Sequence, residues 1–194
     1  ASASGVGLEI RLADLPVSQP LVQALGADAA RELALTAGDD FSCGLTTTGA
    51  AYCWGGDYYL NFLGSQPVAV WSGHTFVSLA GGDRHVCGIG TGGTTYCWGS
   101  NEQGQLGNGS WALDRATMPM AVSGGLALTT ITGGGWDACG ATASGGAYCW
   151  GWNVSGELGR GWYSVATAPT GVTAPATAPP VPSRAAMVGA LHVY

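Results

Sequence analysis

Gly93-Thr94-Thr95-Tyr96-Cys97-Trp98-Gly99, followed at once by Ser100-Asn101-Glu102-Gln103-Gly104-Gln105-Leu106-Gly107, decides how this chain folds, because both halves recur. The first half returns as Gly49-Ala50-Ala51-Tyr52-Cys53-Trp54-Gly55 and as Gly146-Ala147-Tyr148-Cys149-Trp150-Gly151. The second half returns as Asn153-Val154-Ser155-Gly156-Glu157-Leu158-Gly159. In degraded form, one residue longer, it is Asp57-Tyr58-Tyr59-Leu60-Asn61-Phe62-Leu63-Gly64. Upstream of each copy stands a glycine turn and a further cysteine: Gly38 to Cys43, Gly81 to Cys87 and Gly133 to Cys139. Downstream comes Pro-x-x-Val: Pro67 to Val70, Pro119 to Val122 and Pro169 to Val172. Self-similarity at this period signals a repeat architecture, in which one supersecondary unit is copied along the chain.

Each unit reads as four short strands. An apolar run comes first (Leu33 to Thr36, Phe76 to Ala80, Leu128 to Thr132). A hairpin with glycine near its tip follows, then the aromatic strand, then a strand opened by proline, where no ladder donor is needed. Cys87 follows Cys43 by 44 residues and Cys139 follows Cys87 by 52, so eight extra residues are expected in a loop between Gly107 and Ala121. Composition agrees with many short strands and tight turns: 34 of 194 residues are glycine and 9 % are charged, too few for a helical bundle. One such sheet cannot bury both its faces, and stacking it radially against its neighbours solves that problem.

The glycine turn, the cysteine, Tyr-Cys-Trp-Gly, Asn-x-x-Gly-Gln-Leu-Gly and Pro-x-x-Val together resemble the repeat of the regulator of chromosome condensation (RCC1) family, in its cysteine-paired bacterial variant. The resemblance covers roughly residues 33–172. It implies an all-β fold of four-stranded β-propeller blades, usually seven. About three blades are recognisable, so an incomplete or small propeller is expected that does not close by itself. Residues 1–32 are read as an N-terminal extension and 173–194 as a proline-rich extended arm, because Ala174 to Pro182 cannot build a core.

The cysteines of each copy are ten residues apart and flank the hairpin symmetrically, so they face each other across two strands. Disulfides Cys43–Cys53, Cys87–Cys97 and Cys139–Cys149 are expected. Zinc knuckles would need closer Cys-x₂₋₄-Cys spacing. Cystines persist in oxidising compartments, and the chain opens Ala1-Ser2-Ala3-Ser4, like an end left by signal cleavage. A periplasmic or secreted location is therefore expected.

Net charge is −6 and lysine is absent, so no basic patch exists for nucleic acid. No apolar stretch approaches the roughly 20 residues of a membrane-spanning helix. His74, His85 and His192 lack nucleophile or ligand spacing, and His85 occupies a repeat position held elsewhere by Phe41 and Asp137. Asp40, Asp83 and Asp137 recur near hairpin starts, where aspartate bonds turn backbone. No catalytic residue, metal or cofactor is expected.

Trp54, Trp98, Trp150, Tyr52, Tyr96 and Tyr148 belong to the repeat and are expected to pack. Aromatics that depart from it in loops (Tyr58, Tyr59, Phe62, Trp111 and Trp152) are expected to contact a protein partner, because Trp and Tyr dominate interface energetics. The reading is a non-enzymatic interaction or scaffolding subunit of a larger assembly, set on the periplasmic face of an electron-transfer or photosynthetic membrane complex. The alternative is a secreted propeller that inhibits an enzyme or binds a soluble ligand. A polysaccharide-active enzyme would need converging carboxylates, which are too few.

Overall fold

Each copy of the repeat becomes one antiparallel sheet of four strands. The computed structural model describes residues 34–56, 60, 64–70, 73–111 and 114–173. The first sheet holds β1 (Ala34–Ala37), β2 (Phe41–Leu45), β3 (Ala51–Gly55) and β4 (Gly64–Ala69). The second holds β5 (Phe76–Gly81), β6 (His85–Gly90), β7 (Thr95–Ser100) and β8 (Arg115–Ala121). The third holds β9 (Leu128–Gly133), β10 (Asp137–Thr142), β11 (Ala147–Gly151) and β12 (Ala166–Gly171). Within each sheet the strands lie in chain order. The expected extensions, 1–32 and most of 173–194, lie outside the described residues.

The sheets stack as blades. Contacts between sheets join β1 and β2 to β5, and β5 and β6 to β9, so the first strands line the inner side of an arc that does not close among the described residues. Backbone bonds stitch the inner turns together: the Asp39 N–H donates to the Asp83 carbonyl and the Asp83 N–H to the Gly135 carbonyl, both at 3.0 Å. Strand period two puts Tyr and Trp of Tyr-Cys-Trp-Gly on one face and Cys on the other. Both faces of the middle sheet are covered, and β6 is buried along its whole length. One apolar core, with Phe41, Leu45, Phe76, Val86 and Trp98, lies between the first two blades; another, with Ile89, Val122, Leu128 and Trp150, lies between the last two.

The glycine ending Tyr-Cys-Trp-Gly has a specific cause. Ladder register shifts between Cys53 and Gly55, Cys97 and Gly99, and Cys149 and Gly151. At this bulge Gly99 and Gly151 take φ of 105° and 99°, and a Cβ would come within 2.5 Å of the Arg84 and Trp136 carbonyl oxygens. Only glycine fits such a conformation and approach.

The three expected disulfides are formed, each across a directly registered pair with Cα atoms 4.1 Å apart. Three local expectations are refined. The insertion falls between the third and fourth strands of the second blade: Cys97 registers on Met120, whereas Cys53 registers on the much nearer Val68. The hairpin glycine of the third copy is Gly145, not Gly146. Its φ is 87° and its N–H donates to the Thr142 carbonyl, as Gly49 and Gly93 donate to Thr46 and Gly90. Pro67, Pro119 and Pro169 sit inside β4, β8 and β12 rather than at their starts. These are the outermost strands of their sheets, where a missing donor costs no ladder bond.

Candidate protein-binding surface

The loops joining third to fourth strands are built alike in the second and third blades. Asn101 and Asn153, both buried, pin them from inside. The Asn101 side-chain carbonyl accepts the Leu106 N–H (3.1 Å) and its amide donates to the Ser110 carbonyl (3.0 Å). The Asn153 carbonyl accepts the Leu158 N–H (2.9 Å), and its amide donates to the Trp162 carbonyl (2.6 Å) and the Ser164 carbonyl (3.1 Å). The repeat offset therefore makes Ser110 equivalent to Trp162, and Trp111 equivalent to Tyr163.

What these loops display is aromatic. Trp111 is 55 % exposed, Trp162 59 % and Tyr163 71 %. The Arg160 guanidinium lies 5.1 Å from the Trp162 ring centroid and donates to the Ser164 carbonyl and hydroxyl. Trp152 and Trp136 are half-buried beside this loop, and the Trp152 N–H donates to the Trp136 carbonyl at 2.9 Å. Large aromatic area held on a braced loop loses little entropy on binding, which favours an interface role. Among the expected partner residues, Trp111 is well exposed and Trp152 partly so. Tyr58, Tyr59 and Phe62 lie outside the described residues. Tyr163 was missed by sequence reasoning, although aligning Asn108-Gly109-Ser110-Trp111 with Arg160-Gly161-Trp162-Tyr163 would have found it.

The blade fabric accounts for the other candidates. His85 is wholly buried, packed against Gly82 as Phe41 packs against Gly38. Burial lowers its pKa to about 4, a shift that the nearby Asp137 backbone only partly offsets. Neither ring nitrogen makes a hydrogen bond among the described residues. Asp137 shifts the opposite way, upward, through burial first and then the charges of Glu157 and Asp83. His74 is exposed and stacks on Tyr96 at 4.2 Å. Among the described residues no three His, Cys, Asp or Glu side chains group to hold a metal, and no helix is long and apolar enough to cross a membrane.

Comparison with known proteins agrees with this architecture. Two profiles of the regulator of chromosome condensation (RCC1) repeat match, one at residues 34–59 and 76–105, the other at 92–136. Among curated proteins none matches in sequence. Solved structures share the fold, among them the following three. A structure of Kap60 bound to yeast RCC1 (Prp20) has a TM-score of 0.68 at 18 % identity, over 76 % of this chain and 38 % of that one. A structure of Prp20p from Saccharomyces cerevisiae, described with its binding to Gsp1p and histones, gives 0.66 at 18 %, over 76 % and 40 %. Human WBSCR16 gives 0.64 at 20 %, over 72 % and 37 %. The chain spans about two fifths of each.

These matches correct the location expected from the cysteines. The yeast RCC1 (Prp20) structures that share the fold are described with Kap60, Gsp1p and histones, and none of the three structures is described as periplasmic or secreted. The periplasmic or secreted location, and with it the membrane-complex setting, is withdrawn.

Proposed function

We propose that this chain of RCC1-type repeats is a non-enzymatic protein-interaction module. It presents the braced aromatic loops of its second and third blades to a protein partner. Residues 33–172 are read as the propeller unit, and the three in-blade cystines support reading it as a cysteine-paired variant of the repeat. One observation carries the reading. Trp111 and Tyr163 occupy the same position in successive blades, both are exposed, and a buried asparagine holds each loop in shape. Aromatics repeated on a rigid rim suit the centre of a protein interface. Protein binding is also described for the fold's relatives, with Kap60, Gsp1p and histones. Trp152 is assigned to the same surface, and Tyr58, Tyr59 and Phe62 remain proposed partner contacts on the sequence alone. No catalytic residue and no cofactor enter this role, and the net charge of −6 disfavours nucleic acid as the ligand.

The test is site-specific photo-crosslinking. A photoreactive side chain replaces Trp111 or Tyr163 in the full chain, expressed in its own cells, with exposed Val77 as the control position. A discrete protein adduct at both loop positions and none at Val77 supports the reading. Adducts at Val77 alone, or none anywhere, overturn it.

A further inference from the structure

The junction of the second and third blades is a template for the two ends of the arc; at the first junction Trp98 is equally buried, but its indole N–H makes no hydrogen bond among the described residues. At the junction of the second and third blades, Trp150 is fully buried and its indole N–H donates to the Gln105 carbonyl at 3.0 Å. Gly107, at φ 61°, lets the ring lie against the backbone, since a Cβ there would stand 2.7 Å from the indole nitrogen. The Gly109 N–H donates to the Thr167 carbonyl in β12 at 2.7 Å. Val122 closes the pocket and is 8 % exposed.

Both halves of this junction recur at the ends. On the third blade the receiving half is Glu157, Gly159, Gly161 and Val172, the counterparts of Gln105, Gly107, Gly109 and Val122. Its backbone already has the same shape: φ is 60° at Gly159 and 80° at Gly161, against 61° and 81° at Gly107 and Gly109. Its surface differs: Gln105 is buried but Glu157 is exposed, and Val172 is 41 % exposed. On the first blade the inserting half is Trp54, counterpart of the fully buried Trp98 and Trp150, and only partly covered. A groove lined by Asp39, Asp40, Phe41 and Trp54 opens on that side. Ser65 in β4, counterpart of Thr167, is exposed.

We infer that the two ends are complementary halves of one blade junction, and that the chain associates head to tail with a second copy of itself. Trp54 of one copy enters the Glu157–Gly159 loop of the other and donates its indole N–H to the Glu157 carbonyl. The Gly161 N–H meets the Ser65 carbonyl, and the Gly135 N–H meets the Asp39 carbonyl, which continues the inner series running from Asp39 to Asp83 to Gly135. In all three, the third blade of one copy meets the first blade of the other as the second meets the third within the chain, the indole donating one way and the two backbone N–H groups the other. Such a contact is heterologous, the same two unlike faces meeting each time. It turns about the propeller axis and does not build a fibre: the matched part of this chain covers 38–40 % of the yeast chain, so that length holds two such parts and not three. The receiving half shares the third-blade loop with Trp162 and Tyr163, but Trp54 and Val172 lie outside that loop and Trp111 lies on the second blade, so dimer formation and crosslinking at Trp111 are read separately.

Sedimentation of the whole chain, cystines intact, tests it. The expected result is twice the chain mass at micromolar concentration. Trp54→Ala removes the inserting side chain, and Val172→Asp puts a charge on a residue exposed in the single copy. Each variant alone should sediment as a monomer while keeping the strand signature of the parent in circular dichroism. Mixed together they should recover a dimer, because a Val172→Asp copy still supplies Trp54 to an intact receiving face on a Trp54→Ala copy. A monomeric parent overturns the inference. So does a dimer that survives either substitution, or a mixture that stays monomeric, since like faces pairing with like would give one of these.

Discussion

Replacing His85 with phenylalanine should remove most of the acid sensitivity of the fold between pH 6.5 and about 4. The repeat itself supplies the precedent: Phe41 occupies this position in the first blade, against Gly38, as His85 lies against Gly82. The buried imidazole has a pKa lowered from 6.5 to about 4, whereas the unfolded chain takes up a proton near 6.5. Above pH 6.5 both states are neutral, and the histidine's contribution is fully present. As pH falls below 6.5 the unfolded state binds the proton first, and stability is lost until the folded state is protonated too. At ~1.4 kcal/mol for each pH step between the unfolded and folded pKa, the loss comes to about 3 kcal/mol across that window. Asp137, whose pKa is raised, works in the other direction, since protonating it relieves a burial penalty as pH falls. That effect is shared by parent and variant, so the difference between their urea unfolding free energies isolates the histidine. At neutral pH the variant should equal or exceed the parent, because phenylalanine replaces two ring nitrogens that make no hydrogen bond. Parallel stability–pH curves for the two proteins would refute the reasoning.

Three further outcomes are expected. Replacing both Cys43 and Cys53 with alanine should cost about 2–3 kcal/mol in denaturant unfolding, the scale for a short closed loop, and peptide mapping should find the other two cystines unchanged; scrambled links would count against blade-local pairing. Trp150→Phe should cost about 2–4 kcal/mol, because the buried Gln105 carbonyl loses its donor and the smaller ring leaves a cavity at a fully buried site. Gly82→Ala should cost about 1–3 kcal/mol through overpacking: its Cβ would press on both the His85 ring and the Gly134 carbonyl, whereas the same change at Gly92, which faces open space, should leave the melting temperature nearly unmoved.

The local unit was legible in the sequence because its determinants are local. The ten-residue cysteine spacing places partners opposite each other across a hairpin whichever way the blades stack, and all three cystines are where that spacing put them. The four-strand composition of each copy follows from alternation and turn residues. Proline placement was not legible to the residue. A missing N–H is tolerated anywhere along an outermost strand, so the start of the strand was one option among several. Location misled for a different reason: oxidation state was made to stand for an address.

The sequence alone determined the blade, its cystines and the number of visible copies. Only the tertiary structure decided what each repeated residue does. Trp54, Trp98 and Trp150 are identical in their local sequence, yet two are sealed and one is partly open; Val122 and Val172 divide the same way. The difference is made by whether a neighbouring blade covers that face. Coverage depends on position within the arc, which no local pattern encodes, and burial of apolar surface by a neighbour is what turns the same residue from core into interface.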